Sequence, residues 1–199
     1  MKIAIYITLS FITMFKSYSQ TYSNKILDSE IETFLKWEIT DAIEQNQYKR
    51  SKKIKLNAQL IPWQEALIGM LGSANVPNTF ENQVNQIIQL ENQYLKRFDS
   101  LPKFKAIFDI DDITYLKSQF ENSHQKAAWK FDFSNVRMKK RPHNNFYSYT
   151  IPLFNKAHTI AILYKEFYCG SLCASGTVKI YKKENGVWKL YKSIGCWVS

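Results

Sequence analysis

Histidine and cysteine are scarce in this 199-residue chain, with three of each, and their spacing excludes more than their number does. His124, His143 and His158 are too far apart in sequence to pair on one helix turn, and no C-x-x-C occurs. No zinc set can therefore be read from neighbouring residues. The acidic group Asp109, Asp111 and Asp112 lacks the glycine and closing glutamate that a calcium loop requires at fixed offsets. No G-x-S-x-G nucleophile elbow is present, and no cofactor-binding motif is found. Long apolar runs are also missing after the first 19 residues, so no transmembrane segment is expected, and no internal repeat or low-complexity stretch occurs. These absences leave no catalytic, cofactor-binding or metal residue to nominate from motifs.

The amino terminus does carry a signal. Lys2 precedes an apolar run from Ile3 to Phe15, and small residues stand at Ser17 and Ser19. That run is too short for a helix to cross about 30 Å of hydrocarbon, and the small residues suit signal peptidase. Residues 1–19 read as a signal peptide cleaved after Ser19, and residues 20–199 as one domain, exported to the periplasm or the extracellular space. The first cysteine is Cys169, so the acceptor for lipid attachment after the apolar run is absent. The formal charge of +10 falls to +8 when Lys2 and Lys16 leave with the signal. Such a balance favours anionic neighbours without naming them.

Ser29 with Glu32 has the spacing of a capping box, and Ile31, Phe34, Leu35, Ile39, Ala42 and Ile43 follow at helical intervals, predicting a helix over 30–46. Ile54, Leu56, Ala58 and Leu60 alternate with polar residues and predict a half-buried strand ended by Pro62. Trp63 to Pro77 is read as partly helical. Phe80, Val84, Ile87, Ile88, Tyr94, Leu95 and Phe98 share a second helical stripe, closed before Pro102. A shorter helix follows Asp109–Asp112, whose carboxylates suit a helix start better than a metal or acid–base site.

The last fifty residues read as four β runs, Tyr147 to Phe154, Thr159 to Tyr168, Thr177 to Lys183 and Val187 to Val198, forming a meander. Asn185-Gly186 between the last two fits a type I′ hairpin turn. Thr159 to Tyr164 is apolar on both faces and is expected to be central. Thr177, Lys179 and Tyr181 leave one face of the next run polar. The sheet is expected to pack helices on one side.

Cys169 and Cys173 flank a small-residue loop between two strands, and in an exported chain such a pair is expected to be oxidised. Three cysteines allow three single-bridge pairings. Cys169 with Cys173 is preferred because Cys196 shares an inward strand face with Trp188, Leu190, Ile194 and Val198 and reads as a buried free thiol. A redox role is disfavoured by the three-residue spacer in a β loop. The nucleophile reading of Ser171, Cys173 and Ser175 is disfavoured by the lack of a histidine at a readable spacing. Basic patches at Lys49 to Lys55 and Lys139 to Arg141 read as solvated faces. Specific nucleic-acid binding is disfavoured because most aromatics occupy packing positions.

The tail SYTIPLFNKAHTIAILYKEFYCGSLCASGTVKIYKKENGVWKLYKSIGCWVS resembles the C-terminal meander of an uncharacterised family of small exported bacterial proteins. The likeness rests on the Y-C-G-x-L-C-x-x-G loop at residues 168–176, the closing W-x-S and the preceding helix DIDDITYLKSQF, and covers about the last ninety residues. It implies a shared exported domain with a cysteine loop, and no activity or catalytic residue. The chain is thus expected to be α+β, with N-terminal helices packed on a C-terminal antiparallel meander of four or five strands, the fifth being Ile54 to Leu60. A cone-shaped, nuclear-transport-factor-like sheet is the named variant of that architecture. The expected function is noncatalytic binding or interaction in the cell envelope or extracellular space, with an anionic envelope component or another protein as partner. The alternative is a hydrolase with a pocket against the sheet. Mass spectrometry of the native protein should find a chain beginning at Gln20 or within a few residues of it; an intact Met1 or a lipid-modified amino terminus refutes export by this route.

Overall fold

The computed structural model describes residues 22–45, 54–63, 65–66, 107–121, 127–133, 136–139, 145–170 and 173–198, the last four by backbone alone. The expected signal peptide, the helix from Phe80 to Phe98, most of Trp63 to Pro77, both basic patches apart from Ile54, Lys55 and Lys139, His124, His143, Ser171 and the Cys196 side chain lie outside the described residues.

Two helices and a mixed sheet of seven strands make up the described α+β fold. Helix α1 spans Asp28–Glu44 and α2 spans Ile110–Glu121. The strands are β1 Ile54–Asn57, β2 Gln59–Leu60, β3 Ala127–Ala128, β4 Val136–Lys139, β5 Phe146–Tyr149, β6 Leu153–Phe154, β7 Ile160–Gly170, β8 Cys173–Glu184 and β9 Val187–Val198. The main sheet runs β4-β1-β5-β7-β8-β9, β6 also pairs with β7, and β2 with β3 forms a separate ribbon.

Within this sheet β5, β7, β8 and β9 lie side by side, each antiparallel to the next. Of the expected strand Ile54 to Leu60 only Ile54–Asn57 joins the sheet, pairing parallel with both β4 and β5; the chain bends at Ala58, and Gln59–Leu60 pairs with β3 instead. A sheet of four or five antiparallel strands is therefore too small a description. Parallel pairing leaves no local turn signal, since its partners are far apart in sequence. The hairpin turn forms as expected, with positive φ of 51° at Asn185 and 81° at Gly186.

Packing occurs on both faces of the sheet, where helices on one side were expected. Along β7, Ala161 and Leu163 enter one core with Ile31, Phe34, Leu35 and Ile39 of α1. Ile162 and Tyr164, pointing the other way, enter a second core with Leu116 and Phe120 of α2. Burial of both faces is why residues 161–164 are uniformly apolar. Phe34 sits at the centre of the first core, edge-on to Phe154, Tyr181 and Trp188 at 5.1–5.5 Å between ring centroids.

The two helix starts differ. At α2, Asp109 caps as expected, its Oδ1 accepting the Asp112 amide at 2.7 Å. At α1 the Ser29–Glu32 box does not define the start. The helix begins at Asp28 after an uncapped Leu27. Its first-turn acids are drawn into tertiary contacts instead: the Asp28 carboxylate accepts the Tyr22 amide at 2.7 Å and pairs with Lys130, and Glu30 meets His158. Both acids still complement the helix dipole.

Gln119 of α2 completes the join to the sheet. Its amide donates to the Phe154 carbonyl at 2.6 Å and accepts the Phe154 N–H at 2.9 Å, so a side chain stands in for a neighbouring strand at the edge of β6. In chemical denaturation, Phe34→Ala should cost about 3–5 kcal/mol, the range for emptying a filled aromatic site. Asp109→Ala should cost about 1 kcal/mol, the usual loss for a cap.

Candidate functional site

The most chemically charged place in the described structure lies between α1 and the sheet. The buried stripe of α1 is Ile31, Phe34, Leu35, Glu38, Ile39 and Ala42, so Glu38 occupies a position that helical spacing reserves for an apolar residue. It is 2% exposed. Lys165 on β7 and Lys179 on β8 rise from neighbouring strands beneath it, because Leu163 pairs with Lys179 and Lys165 with Thr177. Lys179 Nζ donates to Glu38 Oε1 at 3.1 Å and the Tyr181 hydroxyl donates to the same oxygen at 3.0 Å. Lys165 Nζ stands 3.9 Å from it. Glu38 Oε2 is buried without a hydrogen-bond partner among the described residues.

The face carrying Lys179 and Tyr181 was expected to be polar. It is buried: Lys179 is 9% and Tyr181 2% exposed, because α1 lies on it and answers the lysine with a carboxylate. Two cations then face one anion in a space with little water. Burial is the main reason that the Lys165 amine is pushed down to about 8; Glu38 opposes the shift and Lys179 adds to it. The Tyr147 and Tyr149 rings flank Lys165 Nζ at 5.0 and 5.5 Å and supply part of what solvent no longer does.

A second cluster joins α1, α2 and the β6–β7 turn. His158, at a positive φ of 54°, points Nδ1 at both oxygens of Glu30, 2.9 and 3.0 Å away. A carboxylate can only accept, so Nδ1 carries the proton. The Tyr115 hydroxyl lies 3.3 Å from Nε2 and 3.4 Å from the Lys25 carbonyl oxygen. Burial, with the Glu30 charge second, raises the Tyr115 phenol above its ordinary value, which keeps it protonated. Sequence spacing offered no route to this cluster, since Glu30, Tyr115 and His158 lie on separate elements.

Cys169 and Cys173 meet at the far end of β7, at disulfide distance, with Cα atoms 5.1 Å apart, within the usual span. They close the β7–β8 hairpin where the strand register shifts between Tyr168 and Gly170. His158 precedes the opposite end of β7, about 30 Å away at strand rise, and both its ring nitrogens face partners already named. The structure therefore does not bring that histidine to the cysteine loop. On the other face of β7, burial raises the Glu166 carboxyl above the ordinary range, with the Glu65 charge second. Asp109, Asp111 and Asp112 serve the α2 start and the Lys156 loop: Asp112 Oδ1 accepts the Lys156 amide at 3.0 Å, and Asp111 pairs with its ammonium at 3.6 Å. Among the described residues no group of three or more histidine, cysteine or acidic side chains gathers in metal-binding geometry.

The Lys165 shift has a signed consequence. Between about 8 and the ordinary 10.5, the unfolded chain binds a proton that the folded chain has released, so this group makes stability rise with pH across that window. Lys165→Met should flatten the rise in denaturation profiles measured from pH 7 to 10.5. Glu38→Gln, leaving buried cations without their anion, should cost about 3–5 kcal/mol at pH 7.

Compared with protein-family models, with curated proteins and with solved structures, the chain finds no match.

Proposed function

We propose that this chain is an exported, noncatalytic binding domain of the cell envelope or extracellular space. On this reading its tail is the meander of the small exported bacterial family that it resembles, and its sheet is of the cone-shaped, nuclear-transport-factor-like kind. The observation that carries the reading is the β8–β9 hairpin, which holds Val187, Leu190 and Tyr191 in solvent beside Lys182, Lys183 and Lys189. Exposed apolar groups rimmed by mainly positive charge, three lysines against Glu184, are the surface chemistry of a contact site. The Glu38 cluster, by contrast, is enclosed under α1 and serves to seat that helix. The cysteine pair at disulfide distance and the lack, among the described residues, of a helix long and apolar enough to cross a membrane support export.

A hydrolase is the second reading, favoured by the half-buried Glu30–His158–Tyr115 relay. The two readings separate in one pair of measurements on the purified exported protein. Binding requires that it co-sediment with isolated cell envelopes and leave chromogenic ester, phosphate, glycoside and peptide substrates intact. Turnover that disappears in both His158→Gln and Tyr115→Phe overturns the binding reading in favour of the enzyme.

A further inference from the structure

The strand pairing at the β8–β9 hairpin sets Lys182 directly opposite Lys189. Like charges in that position weaken a hairpin, so the pair is not explained by folding. Each lysine is turned aside locally: Lys182 Nζ lies over the Tyr191 ring at 3.8 Å, and Lys189 pairs with Glu184 at 2.8 Å in solvent. Lys183 Nζ lies 5.3 Å from the centre of the Trp188 ring. Glu184 is the lone carboxylate between residues 182 and 191, against three lysines. The same ten residues hold three of the five large apolar side chains exposed in the described structure, Val187 at 55%, Leu190 at 47% and Tyr191 at 38%. The tight Asn185-Gly186 turn keeps these groups at one hairpin end, Leu190 and Lys183 on the face that carries Tyr181 and Trp188, and Val187, Lys182 and Lys189 on the other, so the tip presents apolar and cationic side chains on both faces.

Resting on the binding reading above, we propose that this hairpin docks on an anionic phospholipid bilayer, with Val187, Leu190 and Tyr191 entering the headgroup boundary and Lys182, Lys183 and Lys189 meeting lipid phosphates. Aliphatic side chains with flanking lysines are what an interfacial anchor requires, because apolar burial and attraction to acidic lipid add. Nucleic acid asks for open aromatic faces on which bases stack. Here the Tyr191 ring already carries Lys182, and Trp188 is buried.

The test is co-sedimentation of the purified exported protein with vesicles of phosphatidylcholine, with and without about one-third phosphatidylglycerol, in about 0.15 M salt, where exposed charges alone are screened beyond about 8 Å. Binding is expected only to the anionic vesicles. Each lysine replaced by glutamine should weaken it about fivefold, and all three together about 100-fold. Leu190→Ser with Val187→Ser, both at exposed positions, should abolish binding at this salt while leaving thermal unfolding unchanged. A Tyr191→Trp variant reports insertion directly, its emission shifting to the blue on anionic vesicles. Equal binding to neutral vesicles, indifference to the lysine replacements, or a dimer in solution that hides the hairpin overturns the proposal. If envelopes sediment the protein but pure lipid vesicles do not, the lipid assignment falls and the binding reading stands; if neither does, both fall.

Discussion

A carboxylate placed inside an apolar helix stripe has to be answered from across the interface, and Glu38 makes that demand on the whole sheet beneath it. Its partners lie on two different strands, Lys179 and Tyr181 on β8 and Lys165 on β7. Only the observed register of these strands sets both amines under one helix turn. A slip by one residue would turn every side chain of a strand to the opposite face and leave Glu38 facing apolar groups. Buried ion pairs contribute little net stability against well-packed apolar replacements, yet breaking one is costly. The Glu38 cluster is therefore best understood as a device that selects one seating of α1 on the sheet.

That seating organises the rest. Phe34, one turn before Glu38, is fixed among Phe154, Tyr181 and Trp188, and Glu30, two turns before it, is carried to His158. Through His158 and Tyr115 the register of α1 reaches α2, whose Gln119 closes the edge of β6. Polar groups thus mark the joints between elements, while the two apolar cores on either side of β7 supply the bulk of the burial. Because each joint uses a buried or half-buried polar group, wrong arrangements leave unpaired donors or charges behind.

Chemistry-bearing residues are consequently spread through the fold as fasteners. The cysteine pair closes one end of the β7–β8 hairpin, the histidine holds the turn at the other end of β7, and the lysine with the lowered proton affinity lies between them under α1. What the described molecule offers outward is the end of the β8–β9 hairpin, where burial stops and apolar and cationic side chains are exposed on both faces.

Much of this was legible in the chain. The apolar run 159–164, the Asn185-Gly186 turn, the start of α2 at Asp109 and the nearness of Cys169 to Cys173 follow from local chemistry, since each depends on residues within a few positions of one another. One local signal was passed over: Glu38 stands in the apolar stripe of α1, and a carboxylate there announces a buried cation on the facing element. Which cation, and on which strand, lay beyond local pattern. Lys179 and Tyr181 look like a solvated face when read with period two, and only the weight of α1 upon them makes them interior. The parallel pairing of Ile54–Asn57 with strands about 80 and 90 residues later, and the relay of Glu30, Tyr115 and His158, were decided by the tertiary structure alone. Sequence by itself determined what each segment can bury; which buried groups meet is a long-range matter, set by the one arrangement that leaves the fewest charges and donors unanswered.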